Sequence, residues 1–518
     1  MNNVINKIEN IDIKKIHIAV IIIGIIFLCV PVFHTSLWFD EAYSVGMSNR
    51  NFIDIWDIGK NDVHPVFYYW CLHILNLIFG NNILIYRLFS AMCISILGIL
   101  GFTHVRKDFG EKTGLLFSFF VYFLPVNSVY SGEIRMYTLA ALLVSVTAIY
   151  AYRIYKENTK CNIKNWIIFA IFSLASAYTH YYALMSIGLI NLFLLITYIK
   201  EYIKDKKLTK NMKAFLISAV SQVLLYIPWV LALLKQIGQV SNNFWIGIHF
   251  PGSFIEFFTF PFTGNLEETH YVSIPIALAY SAMIVAYVIY LYVKGNKSNK
   301  EKIKNNNEEV KPAKLAIQVF LGIALAACIM SLIIWRPIIY ARYMYCAIGL
   351  FIFFIAFLLA KRGNKYVNTA ICIISVIIAG YININLAIQN YDSSNNGPID
   401  FMEEDMSKDD LILFGNEGSG FVIAVHYPNN KVYFYDYNNW YVDAAYQAFG
   451  NDFATVHDNL DILNNYKGRI WIVNATGNRL LENLQDMYGN DIEVIKQGQF
   501  SVEYKKYQYS ITLVDKVN

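Results

Sequence analysis

Charged residues are scarce in this sequence, and their scarcity excludes an ordinary soluble domain. Only 15% of the 518 residues are charged, whereas 56% are hydrophobic and 16% are aromatic. Soluble globular domains usually contain about 25% charged residues. Mean hydropathy is positive as well, so the composition predicts a multi-span membrane protein.

Cysteine pairs and cofactor motifs are also missing. The seven cysteines all lie before residue 373 and have no spacing typical of zinc or redox sites, so we expect small buried residues and no disulfides in the C-terminal part. That part contains no glycine-rich phosphate loop and no metal-ligand spacing. The lysine-rich N-terminus precedes an apolar run without a small-x-small cleavage site, which predicts an uncleaved signal anchor.

The net charge of +4 combines two regions of opposite charge. Residues 1–385 carry 33 Lys and Arg against 19 acids, whereas residues 386–518 carry 9 against 19. This division predicts two environments, and it does not predict a basic surface for nucleic acid.

Eleven apolar runs are long enough to cross about 30 Å of hydrocarbon. They lie near residues 16–34, 83–104, 113–130, 136–155, 166–180, 182–199, 214–234, 273–293, 315–335, 343–360 and 366–385. A twelfth run, 65–79, is short for a span. We expect a transmembrane domain at 1–389 with a first outer loop at 35–82.

The distribution of basic residues decides where the run 65–79 lies. If it does not cross, alternate loops from the N-terminus inward hold 26 of the 42 Lys and Arg, and the outer side of the membrane domain holds seven. If it crosses, 23 of those 26 move outside. The positive-inside rule therefore predicts that 65–79 is a re-entrant or surface helix on the outer side. The Lys- and Asn-rich tract 294–314 is predicted to be a flexible inner linker.

The composition changes after a linker near residue 390. Short apolar runs alternate with helical patterns, with one helix expected near 453–466. This alternation predicts a small α/β domain with a mostly parallel sheet at 390–518, placed outside the cell by the topology.

An acidic pair, Asp40 and Glu41, follows the first apolar run. Carboxylates close to hydrocarbon are costly and usually have a function, although a solvated acidic loop is the simpler alternative. The neighbouring aromatic residues make the loop amphipathic and suited to the membrane surface.

The topology brings further polar clusters to the outer ends of the spans. They contain His64, Glu133, Arg135, Tyr137, His180, Tyr181, Arg342 and Tyr343. Arginine and tyrosine at an interface suit a lipid-linked phosphate, and a carboxylate suits deprotonation of an acceptor hydroxyl. Interfacial Arg and Tyr are also common anchors, and a histidine between tyrosines is more often a packed one.

The order of motifs resembles the GT-C class of membrane glycosyltransferases. WFDEAYS, DVHPVFYYWCLHILNLIFG, RLFSA, SGEIRMYTLAA and ARYMY occur in that order, and the similarity is greatest to the bacterial branch related to protein O-mannosyltransferases and aminoarabinose transferases. It covers residues 16–200 well and the later spans loosely.

The resemblance implies an inverting transfer from a polyprenyl-phosphate sugar, with the first-loop acid, Asp40, as the catalytic base. Donor or acceptor binding would then involve Glu41, Tyr43, His64, Glu133, Arg135, Tyr137, His180, Tyr181, Arg342 and Tyr343. The chain departs from the family at Val66, where a second proline is frequent, and at Val63-His64, where some relatives have Glu-Lys.

We therefore expect a plasma-membrane glycosyltransferase whose acceptor is a protein, a glycolipid or a wall polymer. No metal ligands are assigned, and help from a divalent cation is left open. The alternatives are a lipid or solute transporter, although the charges do not lie at mid-membrane, and a sensor whose spans only anchor an outer domain.

Overall fold

The protein is described by a computed structural model covering residues 12–157, 161–242, 246–249, 251–265, 272–296, 300–415, 417–435, 443–456, 460–475 and 479–517. The chain divides into two compact units, described separately below. The helical unit comprises Met1–Val32, Leu88–Leu231 and Val240–Asn385, and the loop–sheet unit comprises Phe33–Arg87, Ala232–Gln239 and Leu386–Asn518. The predicted domain boundary near residue 389 stays a prediction.

Eight helices in the described part of the chain are long and apolar enough to cross a membrane. They are Ile83–Phe109, Tyr137–Lys156, Tyr181–Asp205, Lys210–Val240, Ile274–Lys294, Val310–Ile334, Ala341–Arg362 and Lys365–Asn390. Each corresponds to a predicted span, so the multi-span helical class is confirmed. The total of about eleven spans stays a prediction.

The other three predicted spans correspond to shorter helices. They are Ile13–Cys29, the pair Glu111–Phe123 and Pro125–Tyr130, and Ile163–Ala177. The pair is interrupted at Leu124, which is extended with ψ of 123°, because the ring of Pro125 disfavours a helical conformation in the residue before it.

The candidate spans differ in how much of their surface other residues cover. Ala341–Arg362 is 89% buried within the protein and Tyr137–Lys156 is 72% buried, whereas Lys210–Val240 is only 17% buried. The first two helices therefore form the centre of the helical unit. Lys210–Val240 exposes large apolar side chains such as Leu231, as expected of a helix that faces the lipid of a bilayer.

The predicted flexible linker at 294–314 is wrong for most of its length. The helices Ile274–Asn296 and Lys300–Ile334 extend into it, and residues 297–299 lie outside the described residues. Lys and Glu are good helix formers, so a charged sequence beside an apolar helix can continue that helix.

The predicted first outer loop folds as three helices in the loop–sheet unit, Phe39–Ser48, Phe52–Gly59 and Phe67–Phe79. The side chain of Asn51 caps the second helix by accepting from the backbone N–H groups of Ile53 and Asp54, both at 2.9 Å. The 13 residues of the third helix extend about 20 Å, less than the hydrocarbon thickness.

The C-terminal segment forms one six-stranded sheet with strand order β3-β2-β1-β4-β6-β5. The strands are β1 (Leu411–Phe414), β2 (Lys431–Tyr435), β3 (Asp452–Val456), β4 (Gly468–Asn474), β5 (Ile492–Ser501) and β6 (Gln508–Lys516). The pairs β1–β2, β1–β4 and β2–β3 are parallel, and β4–β6 and β5–β6 are antiparallel. The predicted small C-terminal α/β domain is therefore present, with a mixed sheet.

Within the described residues, four short α-helices accompany these elements: Gly252–Thr263 in the helical unit, and Gly397–Glu403, Glu417–Ala424 and Leu480–Tyr488 around the sheet. The helix predicted near 453–466 is wrong. Residues Asp452–Val456 form β3, and the described residues from there to residue 466 contain only the short 3₁₀ turn Asp461–Leu463. The β-branched and aromatic residues of DFATV favour a strand, and pairing with β2 provides its hydrogen bonds.

Candidate functional site

The acidic pair lies in the first turn of the helix Phe39–Ser48, here called the Asp40 helix. The side chain of its N-cap residue, Trp38, does not cap the helix. The backbone N–H of Phe39 instead donates to the hydroxyl of Tyr507 at 3.2 Å, which satisfies one of the N–H groups left open at a helix start. Carboxylates in this first turn also interact favourably with the helix dipole.

Glu41 is fully buried and makes a two-pronged ion pair. Arg87 Nη1 donates to Glu41 Oε1 at 2.6 Å and Arg87 Nη2 donates to Oε2 at 2.9 Å, and the hydroxyl of Tyr504 donates to Oε2 at 2.8 Å. The guanidinium also donates to the backbone carbonyls of His34 and Ser36. This geometry favours a positioning role for Glu41, and its predicted part in substrate binding stays a prediction.

Asp40 is only partly buried, unlike its neighbour. Its backbone carbonyl accepts from the Ser44 hydroxyl at 3.1 Å, within the helix. Burial, together with the negative charges of Asp40 and Glu41, raises the pKa of Tyr507 to about 12. The Tyr507 hydroxyl therefore stays protonated and neutral close to the acidic pair, and Asp40 is the more accessible carboxylate of the two.

Aromatic rings from the sheet segment pack along the Asp40 helix. The ring of Phe39 lies 5.6 Å from those of Phe421 and Phe449. Tyr43 contacts Phe449 on one side and Tyr69 on the other, with ring centroids 5.7 Å apart in both cases. Tyr43 thus joins the outer-loop helices to the C-terminal segment.

The C-terminal end of the Asp40 helix also packs closely against the C-terminal segment. A Cβ atom on Gly46 would lie 2.4 Å from the carbonyl oxygen of Ala448, so the backbones meet where only glycine fits. Arg50, just beyond the helix, donates to Asn451 at 2.8 Å and to the carbonyls of Gln447 and Gly450. The C-terminal segment therefore contacts this helix from its first residue to its end.

His64 is buried beside the end of the second outer-loop helix. Its Nδ1 lies 3.4 Å from a carboxylate oxygen of Asp62. The two side chains can therefore act together as one polar group.

In the helical unit, four of the predicted residues lie together. Arg342 is buried, with its guanidinium carbon 6.0 Å from the ring centroid of Tyr137 and 5.0 Å from that of Tyr340. The ring of His180 lies 5.8 Å from Tyr137 and 5.1 Å from Tyr343. We call these residues the Arg342 cluster. It combines a permanent positive charge with aromatic faces and hydroxyl groups.

His180 is held at a turn between two helices. Its Nδ1 accepts from the backbone N–H of Tyr182 at 3.1 Å and so caps the helix Tyr181–Asp205. In the neutral ring, this bond leaves the proton on Nε2. Residues 178–180 thus connect the helices Ile163–Ala177 and Tyr181–Asp205.

The remaining predicted residues have backbone or hydroxyl partners in the same unit. The carbonyl of Glu133 accepts from the Ser90 hydroxyl at 2.6 Å and from the Arg135 N–H at 2.8 Å. The Arg135 side chain is buried. The hydroxyl of Tyr181 accepts from Trp229 Nε1 at 3.1 Å.

No group of three or more His, Cys, Asp or Glu among the described residues could hold a metal ion. Help from a divalent cation, left open by the sequence, therefore has no support from a ligand cluster in the described part of the chain.

Sequence reasoning missed the residues that hold the predicted site in place. These residues are Arg87, Tyr504 and Tyr507. Arg87 lies 46 residues from Glu41, and Tyr504 lies 463 residues from it. No local pattern links residues so far apart, and the only signal in the sequence is a lone arginine near the start of the apolar run 83–104.

Comparison with known proteins agrees with the observed helical architecture. Residues 63–233 match the family model described as dolichyl-phosphate-mannose-protein mannosyltransferase. A comparison with curated proteins gives no match.

Two solved structures of ArnT from Cupriavidus metallidurans are similar over nearly the whole chain. The apo structure has a TM-score of 0.57 at 10% identity, and the structure bound to undecaprenyl phosphate has a TM-score of 0.57 at 12% identity. Each alignment covers 97% of this chain and 97% of ArnT. The predicted resemblance is confirmed: the chain is a multi-pass membrane protein with the fold of the GT-C glycosyltransferases.

Proposed function

We propose that this protein is an inverting glycosyltransferase that moves a sugar from a polyprenyl-phosphate donor to an acceptor hydroxyl on the outer face of the membrane. The observation that carries the proposal is the Arg342 cluster, a buried guanidinium among tyrosine rings at the start of a central span. The structure of ArnT with undecaprenyl phosphate supports a lipid-phosphate donor.

In this reaction the acceptor hydroxyl attacks the anomeric carbon while the bond from that carbon to the phosphate oxygen breaks. Asp40 takes the hydroxyl proton, and the electron pair of the broken bond leaves with polyprenyl phosphate. A single displacement of this kind inverts the anomeric centre. Arg135 and Arg342 neutralise the charge that develops on the leaving phosphate, a preorganised stabilisation that usually contributes much of the rate.

The role of Arg342 can be tested in two steps, because lysine keeps the positive charge and alanine removes it. Arg342→Lys loses the planar fork that binds two phosphate oxygens, and Arg342→Ala loses the charge as well. We expect donor affinity to fall in the order Arg, Lys, Ala, by about 1.5–3 kcal/mol for alanine. Purified protein in detergent, supplied with a synthetic polyprenyl-phosphate sugar, provides the measurement.

The matched control for this series is Arg336→Lys and Arg336→Ala, at an exposed arginine six residues before Arg342. An arginine that only anchors the protein should tolerate lysine fully. If the Arg342→Lys variant binds the donor as tightly as the native protein does, the proposal that Arg342 binds the donor phosphate is wrong. If no donor reacts but the reconstituted protein moves lipid across vesicles, the transporter alternative replaces the transferase.

The outer placement of residues 35–82 gives a separate prediction about topology. In a cysteine-free background, Asn61→Cys and Asn81→Cys should react with an impermeant thiol reagent in intact cells, because both flank the helix Phe67–Phe79. Lys207→Cys, on an exposed position of a predicted inner loop, should react only after the cells are opened. Protection of Asn81→Cys together with labelling of Lys207→Cys would mean that residues 65–79 cross the membrane.

Three acceptor classes remain possible for this reaction: a protein, a glycolipid or a wall polymer. The same assay distinguishes them if each acceptor is supplied in turn. Release of polyprenyl phosphate that depends on both Asp40 and Arg342 identifies transfer regardless of the acceptor.

A further inference from the structure

A polar cavity of about 390 Å³ lies within the loop–sheet unit. Its wall is formed by residues 35–37, by Ile83 at the start of a span, by the helices Gly397–Glu403 and Glu417–Ala424, and by residues around Tyr504. Small-molecule sites usually have volumes of about 300–1,000 Å³. The cavity is therefore large enough for a small organic ligand.

The mouth of the cavity carries exposed side chains that accept and donate hydrogen bonds. They include the carboxylates of Asp400 and Glu403 and the amides of Asn81 and Asn396. Asp400 and Glu403 are three residues apart on one helix, so they lie on the same side of it. A carboxylate only accepts, whereas an amide both donates and accepts. A ligand with several hydroxyl groups can satisfy both kinds of group, because each hydroxyl donates and accepts as well.

The floor of the cavity is buried and mainly apolar. It includes Val422 and Ile423 from the helix Glu417–Ala424, together with Val502. Tyr509 is buried there as well, and burial raises the pKa of its hydroxyl, which therefore stays neutral. A sugar ring has apolar C–H faces between its hydroxyl groups. Such a ring can pack on this floor while its hydroxyl groups face the polar mouth.

The lysine that contacts the helix Gly397–Glu403 pairs with other acids. Lys496 donates to the backbone carbonyl of Phe401 at 2.7 Å, and its ammonium lies 2.5 Å from Asp405 and 3.5 Å from Glu404. Neither of these carboxylates lines the cavity. The ion pairs of Lys496 therefore leave the negative charge of the cavity mouth in place.

The charge of the wall indicates which ligands fit. The described residues that line the cavity include no lysine or arginine. His426 does line it, but burial lowers the pKa of its imidazole to about 4, so the ring is neutral at neutral pH. A wall with two carboxylates and no cation repels phosphates and other anions. A small cation would use the carboxylates alone, whereas a neutral sugar also uses the amides and the apolar floor.

The cavity shares part of its wall with the support of the Asp40 helix. Tyr504 lines the cavity, and its hydroxyl donates to Glu41 at 2.8 Å. Ser36 lines it too, and its carbonyl accepts from Arg87, the ion-pair partner of Glu41. Glu41 directly follows Asp40 in the sequence. A ligand in the cavity would therefore lie on the same side of the unit as the proposed base.

We propose that this cavity binds a neutral sugar unit of the acceptor, which makes the acceptor a glycolipid or a wall polysaccharide rather than a protein. The inference rests on the transferase function proposed above. The carboxylates and amides at the mouth hydrogen-bond the sugar hydroxyl groups, and a C–H face of the ring packs on the apolar floor. A neighbouring sugar unit of the same acceptor then presents its hydroxyl group to Asp40.

The first test measures binding alone, by saturation-transfer NMR on the full chain in a detergent without a sugar head group. The probes are the methyl glycosides of glucose, galactose, mannose and N-acetylglucosamine, with methyl glucuronide as an anionic probe. We expect at least one neutral glycoside to bind, and we expect the glucuronide to bind more weakly than the best neutral probe, because the wall is negative.

Two variants test the mouth and the chamber separately. Asp400→Ala combined with Glu403→Ala should weaken binding of the best neutral probe by about 10-fold or more, because two charged hydrogen-bond acceptors are lost. The matched control, Glu482→Ala with Asp486→Ala, removes two exposed acids from another helix of the sheet segment, outside the cavity, and should bind normally. Ile399→Trp fills part of the cavity without a change of charge and should also weaken binding.

The second test measures transfer to a glycan acceptor. The Asp400→Ala, Glu403→Ala variant should raise the acceptor KM by about 10-fold and leave the donor KM unchanged. Binding of no neutral glycoside, tighter binding of the glucuronide, or equal losses in the variant and its control would overturn the inference. Release of polyprenyl phosphate by the same preparation would then still support the transferase. If sugars bind but no donor releases polyprenyl phosphate, the acceptor role and the transferase function are both wrong.

Discussion

Asp40→Asn is expected to lower sugar transfer by at least about 100-fold, because it removes the proposed proton acceptor with little change of shape. Asp40 is the carboxylate of the acidic pair that remains partly accessible, whereas Glu41 is fully buried against Arg87 and Tyr504. The effect should therefore be on turnover rather than on folding. The measurement is the rate of polyprenyl phosphate release at matched protein level, with donor and acceptor at saturation.

The control for this variant is Asp57→Asn, which makes the same chemical change on an exposed residue of the next helix. It should leave the rate unchanged. A loss in kcat at unchanged donor KM would agree with a group that acts on the acceptor proton. Near-normal turnover of Asp40→Asn would exclude Asp40 as the base, and Glu133→Gln would then be the next variant to measure.

The sequence was sufficient to predict the helices that are apolar over their whole length. Runs such as 343–360 and 366–385 need no tertiary contacts to be recognised, because hydrophobicity alone determines their environment. The interrupted run 113–130 shows the limit of this reasoning. Its apolar composition is continuous, but Pro125 ends one helix and starts another, so the backbone follows local sterics rather than the mean hydropathy.

The residues of the Arg342 cluster can be predicted from the sequence, whereas the residues that support the Asp40 helix cannot. Tyr137, His180 and Arg342 were identified from their places at span ends, and the structure brings them together in one cluster. The support of the Asp40 helix was not predictable. Its partners Phe449 and Tyr507 lie more than 400 residues later, and only the tertiary fold shows that the C-terminal segment holds this helix.

Breaking the Glu41–Arg87 pair is expected to cost about 3–5 kcal/mol in the free energy of unfolding. Both side chains are almost completely buried, at 0% and 1% exposure. Arg87→Met would leave the Glu41 carboxylate buried without its guanidinium partner and would remove the donors to the carbonyls of His34 and Ser36. Tyr504→Phe removes one hydrogen bond to the same carboxylate and should cost about 1.5–3 kcal/mol.

Denaturant unfolding in detergent, compared between variants at matched lipid content, gives the measurement. Lys60→Ala is the matched control, because the Lys60–Asp57 pair is exposed and such pairs contribute only about 0–1 kcal/mol. The double variant Glu41→Gln, Arg87→Met should lose less stability than the sum of the single variants, since removing both charges leaves no buried ion without its counter-charge. If Arg87→Met costs no more than Lys60→Ala, the ion pair does not hold the Asp40 helix, and the position of Asp40 must depend on the aromatic contacts of Phe39 and Tyr43 instead.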